Sequence, residues 1–569
     1  MRWYYEDDIP VQQIEILCKH LGISKFLAKL LGSLGYLDVP SAFNFLNPSL
    51  KNLENPSDIA HLDQVVQIMN EVCKAGQSIG VISDYDVDGI TSMALLYRYF
   101  EALNYSFTPF FPDRKKEGYG LSEQVAERVM SAGNFDLIVA LDCGTNAVEP
   151  IELLNKKGIN VIVIDHHQRN CEKLPCATII NPHIDPQNHS TSAQQLCTVG
   201  LVFKLIHAWL KILKAAHFTP ALSIRLKPFL DLVALGTIAD MVPLLEENRL
   251  FVHFGLKELK QSRLLGLRSL LKFSGIEAGA PLGTDDVAYR LAPRINVSGR
   301  LSSADLPFRL LTSRDANMCD TWADTLNRLN LERQQIEKQI VMQAEQMIYA
   351  YPKNALVYVL YNPHWHVGVV GVVAGKLAHQ YGKPVFVLGK QGEFAKGSGR
   401  SVHAVNLVNL FQQANVDVER WGGHPAAVGL AAKPETLVAL EQSLDNTLRT
   451  TFKEGIPEPQ LHVATALNFE DFSEKSLDEL ERMAPFGQGN EAPVFVLKRI
   501  ILPKKFERFG SAGAHLRLFL NNISIIGWGM GTVQLPINYP IHLAVRVAWN
   551  YWKGEKRFQM YLVDWQKCD

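Results

Sequence analysis

Short apolar runs alternate with helix-like stretches from about residue 78 to residue 180, and this pattern constrains the fold more than any other feature. The runs are IGVIS, LIVAL, NVIVI and ATII. Uninterrupted apolar runs of this length are typical of strands that are buried on both faces, and their alternation with helices predicts a parallel sheet. We therefore predict an α/β domain in which helices cover a parallel sheet.

The rest of the chain divides into further regions. At about 150 residues per domain, a chain of 569 residues predicts roughly four units. Residues 1–75 have helical spacing broken by Pro, Asn and Ser, and residues 76–310 contain the predicted sheet. Residues 311–350 contain no Gly or Pro, which predicts a long connecting helix. A smaller α/β domain is predicted at 351–450, and alternating apolar and polar residues at 451–569 predict a β-barrel.

The composition is that of a globular protein. Hydrophobic residues make up 47% and charged residues 20% of the chain, unlike a disordered sequence. No apolar stretch is long enough to span a bilayer, and the acidic start MRWYYEDDIP lacks the features of a signal peptide. Eight cysteines without a CxxC pair predict reduced thiols. We expect a cytoplasmic protein with no membrane partner.

Acidic residues and histidines follow three of the predicted strands. They lie in VISDYDVDG, LIVALDCG and VIVIDHH, and they are Asp84, Asp86, Asp88, Asp142, Asp165, His166 and His167. Because the carboxyl ends of parallel strands meet at one edge of a sheet, these side chains are expected to lie close together. Asp240 lies in the apolar stretch DLVALGTIADMVPL, where an unpaired carboxylate is costly to bury.

Such a group of carboxylates predicts a site for divalent cations. Oxygen ligands with one or two imidazoles suit Mg²⁺ or Mn²⁺ better than Zn²⁺. Two ions roughly 3.5–4 Å apart, bridged by a carboxylate such as Asp142, can hold both oxygens of an in-line phosphoryl displacement. A single Asp after a strand is more often a helix cap, and a calcium loop is excluded because Leu95 stands at its twelfth position. Three strand-end clusters together favour a two-metal hydrolase.

The motifs SDYDVDG, DCG, DHH and GTIADMVPL, in that order, resemble the four signature motifs of the DHH phosphoesterase superfamily. Within it the chain resembles the RecJ single-strand-specific exonucleases. Five further segments carry this narrower resemblance: FPDRKKEGYGLS, LAPRINVSGRL, GSGRS, WGGHPAAVG and MAPFGQGNEAPVF. Together the segments cover residues 75 to 500.

The resemblance implies roles for individual residues. The two ions would be held by Asp86, Asp88, Asp142, His166 and Asp240, with Asp142 as the bridge. Asp165 would orient an imidazole, and His167 would contact the scissile phosphate or protonate the leaving oxygen. Asp84 would either supply a ligand or orient one.

The resemblance also implies a nucleic-acid-binding surface. The region 351–450 resembles the DHH-associated domain, in which glycine-rich backbone and arginine forks approach phosphate. The expected contacts are Arg294, Arg300, Ser398, Arg400, Gly422, Gly423 and His424. Taken alone, a glycine-rich stretch such as GSGRS predicts a tight turn about as well as a phosphate site.

The last segment is basic and aromatic, although the net charge of the whole chain is only −1. Residues 496–569 contain eleven Lys and Arg against four Asp and Glu. The interleaved aromatic residues are Phe506, Phe509, Phe519, Trp528, Trp549, Tyr551 and Trp552. An OB domain, which the resemblance implies, holds single strands with such a combination. The alternative is that these aromatics pack the barrel core, and we expect about half to do so.

The resemblance implies a 5′→3′ exonuclease that degrades single-stranded DNA to 5′-mononucleotides with two Mn²⁺ or Mg²⁺ ions, in recombination and repair, including mismatch repair. A monomer that works with a helicase and a single-strand-binding protein is expected. One alternative is a DHH oligonucleotide or cyclic-dinucleotide phosphodiesterase, against which the basic, aromatic last segment argues. An inactive DNA-binding factor is another, and the presence of every expected motif acid argues against it.

Overall fold

The structure is a computed structural model of the chain. It describes residues 1–5, 9–113, 117–118, 120–184, 189–276, 279–301, 303–402, 404–467, 472–502, 506–520, 523–552 and 555–568. The described chain forms two compact units. One contains Met1–Tyr4 and Arg328–Leu461, and the other contains Tyr5–Asn327 and His462–Asp569. No helix among the described residues is both long and apolar enough to span a bilayer.

The larger unit contains a five-stranded parallel sheet. Its strands are β2 (Ile79–Ser83), β3 (Thr108–Phe110), β4 (Leu137–Leu141), β5 (Asn160–Ile164) and β6 (Thr178–Ile180), in the order β3-β2-β4-β5-β6. All residues of β2 and β4 are buried. A strand that is covered on both faces gains stability from every side chain, which is why these runs are continuously apolar.

Helices surround this sheet. Before it come α1 (Val11–Leu21), α2 (Lys25–Ser33), α3 (Val39–Leu46) and α4 (Leu62–Lys74). Between and after the strands come α5 (Val87–Ala102), α6 (Glu123–Ala132), α7 (Val148–Lys156), α8 (Thr198–Ala215), α9 (Thr219–Leu222), α10 (Leu230–Ala239), α11 (Glu246–Lys260) and α12 (Leu265–Phe273). Short helices follow: α13 (Thr284–Asp286), a π-helix (Val287–Leu291), α14 (Ala292–Asn296), α15 (Ser298–Leu301) and α16 (Asp305–Thr312).

A buried ion pair joins α8 to α11. The Lys204 ammonium lies 2.7 Å from Glu247 Oε1, and both side chains are almost completely buried. Ser192 Oγ donates a hydrogen bond to Glu247 Oε2 at 3.0 Å. Because the pair is shielded from water and fully bonded, losing either partner would leave an uncompensated charge in the core.

One uninterrupted helix, α17 (Ala316–Tyr349), contributes residues to both units. The smaller unit continues with β7 (Tyr358–Tyr361), α18 (Val370–Tyr381), β8 (Val385–Gln391), β9 (Phe394–Arg400), α19 (Leu407–Ala414), β10 (Arg420–His424), β11 (Ala427–Ala432) and α20 (Leu437–Thr451). The strand order is β10-β11-β9-β8-β7, and only β7 and β8 are parallel. In addition, β1 (Arg2–Tyr5) forms a two-stranded sheet with β12 (Gln460–Val463).

The last part of the larger unit is a seven-stranded sheet. It contains β13 (Thr465–Leu467), β14 (Phe495–Ile501), β15 (Glu507–Phe509), β16 (His515–Leu520), β17 (Ile523–Gly527), β18 (Pro540–Trp552) and β19 (Glu555–Lys567), and α21 (Glu474–Glu481) precedes β14. Its inner face forms one hydrophobic core with residues of α1, α2 and α3. The predicted fold class, an α/β parallel-sheet domain with a smaller α/β domain and a β-barrel, is confirmed.

Candidate metal centre

The acidic residues after β2, β4 and β5 lie at one edge of the sheet. The parallel ladder continues one residue past each strand: the Asp84 amide donates to Leu141 O, the Asp142 amide to Ile164 O, and the Asp165 amide to Ile180 O. These bonds place the three aspartates at the same level. Asp86 caps α5, where its carboxylate accepts a bond from the Gly89 amide at 3.2 Å.

Four side chains converge around one point at this edge. The His166 Nε2 atom lies 3.4 Å from Asp142 Oδ1, 3.6 Å from Asp240 Oδ2 and 3.8 Å from Asp88 Oδ2. Ligand atoms that each lie about 2.1 Å from one small divalent ion are roughly 3.0–3.4 Å apart. The three distances from the His166 nitrogen are therefore close to those between ligands of one metal ion.

A second group of oxygens shares Asp142. Carboxylate oxygens of Asp84, Asp86 and Asp142 lie within 4.8 Å of one another. Asp142 is 1% exposed, and its Oδ2 atom accepts no hydrogen bond from any described residue. A buried, unbonded carboxylate oxygen is costly unless a cation fills the space beside it. This donor set therefore fits two hard divalent ions that share Asp142.

Burial and mutual repulsion oppose ionisation of these carboxyls. Burial raises the pKa of Asp142 and of Asp240 well above the ordinary value, and the neighbouring carboxylates, Asp88 first among them, raise both further. The pKa of Asp88 is also raised, mainly by burial. Burial lowers the pKa of His166, which favours the neutral imidazole that a metal requires. Bound cations would remove the repulsion.

Asp165 and His167 form a separate pair. His167 Nδ1 lies 2.7 Å from Asp165 Oδ1, and the Thr145 amide donates to Asp165 Oδ2 at 3.1 Å. Burial lowers the pKa of His167, but the hydrogen bond and charge of Asp165 outweigh it and raise the value to about 9. Although burial raises the pKa of Asp165, its bond to His167 brings that value below normal. His167 is therefore an imidazolium at neutral pH.

The amino-terminal turn of α8 donates hydrogen bonds to the carboxylates of Asp88 and Asp142. This contribution of α8 was not predicted from the sequence. The Thr198 and Val199 amides donate to the two oxygens of Asp88 at 2.7 and 2.9 Å. The Thr198 hydroxyl donates to Asp142 Oδ1 at 3.1 Å. The only local signal is a threonine at the start of an apolar helix, which is too common to identify a site.

The predicted DNA contacts occur in both units. In the larger unit, the Arg294 guanidinium donates to Asn327 Oδ1 at 2.9 and 3.1 Å and to the Arg290 carbonyl at 2.5 Å. Arg300 is half-buried in α15. Internal bonds therefore fix Arg294 in place, and its part in DNA binding stays a prediction.

The other predicted contacts lie on three adjacent strands of the smaller unit. Ser398 on β9 and Gly422 on β10 both pair with Gly429 on β11, whereas Arg400 and His424 both pair with Ala427. The Arg400 guanidinium donates to Ser398 Oγ and to the Gly399 carbonyl. Gly423 has φ +154°, and a Cβ atom there would lie 2.2 Å from the Ala427 carbonyl oxygen, so only glycine fits. The strand register thus brings the two glycine-rich motifs together.

The basic, aromatic segment separates into two groups. Trp549 Nε1 and the Lys556 ammonium both donate to Asp478 on α21, at 2.9 and 2.5 Å. Phe509, His515 and Trp528 instead form a cluster with ring centroids 4.8–5.7 Å apart, and the Trp528 side chain is 57% exposed. Lys504, Lys505 and Lys553, and the side chain of Trp552, lie outside the described residues.

The exposed cluster carries a positive charge. Arg517 lies over the Phe509 ring, with its guanidinium carbon 4.7 Å from the centroid, and its Nη1 atom is 3.6 Å from Glu507. Phe519, on the same strand as Arg517, is 44% exposed. Exposed rings beside a guanidinium are typical of surfaces that stack nucleic-acid bases.

Three family models match the chain. They are the DHH family N-terminal domain at residues 78–237, the DHHA1 domain at 353–450 and the RecJ OB domain at 463–564. The chain is 30% identical over 583 residues to the single-stranded-DNA-specific exonuclease RecJ of Bacillus subtilis, covering 100% of this chain and 72% of the relative. It is 32% identical over 510 residues to that of Thermus thermophilus, covering 89% and 71%.

Solved structures agree with these matches. The structure of Thermus thermophilus RecJ in complex with Mn²⁺ has a TM-score of 0.83 and 26% identity, covering 100% of this chain and 80% of that one. The complex with Mg²⁺ has a TM-score of 0.78 and 26% identity, covering 100% and 79%. The ions in those structures are the two that the carboxylate cluster predicts. The chain belongs to the RecJ family of DHH phosphoesterases.

Proposed function

We propose that the chain degrades single-stranded DNA from its 5′ end and releases 5′-mononucleotides, with Mn²⁺ or Mg²⁺ as its cofactor. The convergence of Asp88, Asp142 and Asp240 on His166, whose Nε2 atom lies 3.4–3.8 Å from an oxygen of each, carries this proposal. The match over the full chain to exonucleases named for single-stranded DNA supports the substrate and the reaction class.

The proposed ion sites follow from the two groups of ligands. Asp84, Asp86 and Asp142 would hold one ion. Asp88, Asp142, His166 and Asp240 would hold the other. Bound ions of this kind supply Lewis-acid polarisation of the phosphoryl oxygens and lower the pKa of water.

His167 supplies the acid. Because its Nδ1 atom bonds to Asp165, its Nε2–H points away from that carboxylate, and we assign this proton to the substrate. Water adds to phosphorus, the bond from phosphorus to the 3′ oxygen of the terminal nucleotide breaks, and the His167 proton passes to that oxygen. Asp165 holds the imidazole in orientation and stabilises its charge, and it touches no substrate atom in this scheme.

Single-strand preference is assigned to two surfaces. Ser398, Arg400 and His424, on adjacent strands of the smaller unit, are proposed to bind backbone phosphates. The same role is proposed separately for Arg294 and Arg300 of the larger unit. Trp528 and its neighbours are proposed to stack bases, and each stacked base would contribute about 1–3 kcal/mol to the binding free energy.

The five regions predicted from the sequence remain the proposed domains.

We also propose that the protein acts as a monomer in the cytoplasm. A helicase that exposes single strands and a single-strand-binding protein are its proposed partners, since an exonuclease of this preference requires unwound DNA. The assignment of these two partners rests on the single-stranded substrate alone.

The test uses the purified full chain with Mn²⁺ and long single-stranded DNA labelled at the 5′ or the 3′ end, with a blunt duplex as control. Immediate release of the 5′ label as mononucleotide, with the duplex intact, is expected. Early release of the 3′ label would overturn the polarity. Persistence of long strands while dinucleotides or cyclic dinucleotides are hydrolysed would overturn the substrate assignment.

A further inference from the structure

The segment at residues 483–490, the 483–490 loop, packs against the loop that follows Asp240. This second loop, the 240–245 loop, joins α10 to α11. The Leu244 amide donates to the Gln488 carbonyl at 2.7 Å. A Cβ atom on Gly487 would lie 2.6 Å from Leu244 Cδ1, and one on Gly489 would lie 3.1 Å from Pro243 Cβ. The second half of the 240–245 loop, from Pro243 to Leu245, is therefore in direct contact with the 483–490 loop.

The 483–490 loop is itself rigid. The buried Asn490 side chain donates to the Met483 and Pro485 carbonyls at 3.0 and 2.8 Å. Gly487 and Asn490 exchange two backbone hydrogen bonds, at 2.9 and 3.2 Å. Gly489 has φ +75°, a conformation that glycine adopts at little cost. The loop therefore presents a fixed surface.

Helix α11 also binds this loop. Arg249, which is 4% exposed, donates through Nη2 to the Met483 and Ala484 carbonyls at 3.1 and 3.0 Å. Its guanidinium lies 3.9 Å from the centroid of the Phe45 ring. A buried guanidinium that loses such acceptors pays a large desolvation cost, so α11 and the 483–490 loop are held together strongly.

Two residues in and beside the 240–245 loop have a strained backbone. Met241 in the loop and Glu246, the first residue of α11, have φ values of +61° and +43°, although neither is glycine. Residues in this conformation persist where surrounding contacts hold them. At the start of the loop, the Asp240 amide donates to the Gly236 carbonyl of α10 at 2.9 Å. In its second half, the Asn248 side chain donates to the Pro243 carbonyl at 3.0 Å, and the Leu244 amide donates to the Gln488 carbonyl.

We propose that the 483–490 loop is a positioning element for Asp240 and thereby sets the affinity for the ion that Asp88, Asp142, His166 and Asp240 share. Asp240 Oδ2 lies 3.6 Å from His166 Nε2. Asp240 begins the loop whose second half, Pro243 to Leu245, contacts the 483–490 loop. A shift of about 1 Å would move a carboxylate oxygen out of bonding range of an ion held by the other three ligands. Gly487, Gly489 and Asn490 are positioning residues, since none touches a ligand atom.

The test measures Mn²⁺ binding to the full chain in the absence of DNA, by the loss of the free-ion electron paramagnetic resonance signal. Gly489→Ala and Asn490→Ala are expected to weaken one of the two Mn²⁺ affinities about tenfold and to leave the other unchanged. Gly510→Ala is the matched control: Gly510 has φ +80°, and its added Cβ would lie 2.7 Å from His515, whereas the Cβ added at Gly489 would contact Pro243 of the 240–245 loop. It is expected to leave both affinities unchanged.

A double-variant cycle separates positioning from general destabilisation. In the Asp240→Asn background, Gly489→Ala is expected to have no further effect on Mn²⁺ binding, because the group that it displaces is already lost. A full additional loss there, an equal loss in Gly510→Ala, or unchanged Mn²⁺ binding in Gly489→Ala with a lowered melting temperature would each overturn the proposal. If Asp240→Asn alone left Mn²⁺ binding unchanged, the ligand assignment would fail and the proposal with it. Because no DNA is present, failure of the exonuclease assignment would show separately in the strand-degradation assay.

Discussion

Replacing Asp142 by asparagine is expected to stabilise the metal-free protein while abolishing its response to metal. Asparagine keeps the shape of the side chain and tolerates the φ of +60° at this position. The change removes one of the buried negative charges that repel one another at the edge of the sheet. It also removes the carboxylate that both proposed ions share.

The magnitude follows from the spacing of the carboxylates. Oxygens of Asp142 lie within 4.8 Å of those of Asp84 and Asp86, and two unit charges 4.8 Å apart repel by about 3.5 kcal/mol at an effective dielectric constant near 20. Protonation of one carboxylate limits this repulsion energy, because a protonated carboxyl no longer carries the charge that repels its neighbours. We therefore expect the metal-free variant to gain about 1–3 kcal/mol, which corresponds to a rise of a few degrees in the midpoint of thermal unfolding.

In the presence of Mn²⁺, the wild type is expected to become more stable than Asp142→Asn, the reverse of the order without metal. At a Mn²⁺ concentration 100 times the dissociation constant, each bound ion stabilises the folded wild type by about 2.7 kcal/mol. The variant lacks the shared ligand, so Mn²⁺ is expected to leave its midpoint unchanged, and hydrolysis of single-stranded DNA is expected to fall to the level measured in EDTA.

Differential scanning calorimetry in EDTA and in Mn²⁺, together with the end-label assay, measures both effects. Glu71→Gln removes an exposed carboxylate from α4 and is the control for loss of charge alone. A metal-free Asp142→Asn protein less stable than the wild type would refute the account of repulsion. A normal rise of its midpoint in Mn²⁺, or near-normal hydrolysis, would refute the shared-ligand assignment.

Three further predictions concern other parts of the larger unit. Lys204→Met is expected to lower the free energy of unfolding by about 3–5 kcal/mol in urea titrations, because it leaves a buried carboxylate unpaired. Trp528→Ala is expected to weaken binding of single-stranded DNA by about 1–3 kcal/mol in a fluorescence titration. Burial, with Lys204 and Lys211 nearby, lowers the pKa of His207 from 6.5 to about 4. The folded state therefore resists protonation, and stability is lost as the pH falls from 6.5 towards 4; His207→Gln is expected to reduce this loss.

The first two of these predictions have a matched control variant. Lys173→Met breaks an exposed pair with Glu152 and is expected to cost less than about 1 kcal/mol; an equal cost in both variants would contradict the role of burial. Trp549→Ala is expected to affect DNA binding less than Trp528→Ala, because Asp478 and Lys556 already engage that indole. A reversed order would contradict the proposed stacking surface. If the loss of stability at acidic pH were the same in His207→Gln as in the wild type, other groups would dominate the pH dependence of stability.

The acidic cluster was largely predictable because its residues follow a local rule. Asp84, Asp142 and Asp165 each follow an apolar strand directly, and a parallel sheet brings such residues together whatever the rest of the chain does. The fold class followed from the same runs. The roles of the individual ligands and the domain boundaries stay predictions.

The parts that escaped prediction depend on contacts between distant residues. Thr198 bonds to Asp142, and Leu244 bonds to Gln488, but nothing in the spacing of these residues indicates either pairing. The basic and aromatic character of the last segment could be predicted from the sequence. Its division into an exposed aromatic cluster and a group bonded to α21 could not. Whether an indole is open, as in Trp528, or bonded to an acidic helix, as in Trp549, is decided by tertiary packing.

The contact between Leu244 and Gln488 also has a consequence for the order of events during synthesis. All four proposed ligands of the ion that Asp240 shares precede residue 241, whereas Gln488 follows Leu244 by roughly 240 residues, a delay of about 12–50 s at the usual rate of translation. Residues Arg328–Leu461 of the smaller unit are made in this interval. A nascent chain thus carries the whole ligand set long before the ribosome has added the segment that holds the last ligand in place. On our proposal, tight binding of that ion, and with it the ability to cut DNA, arises late in synthesis.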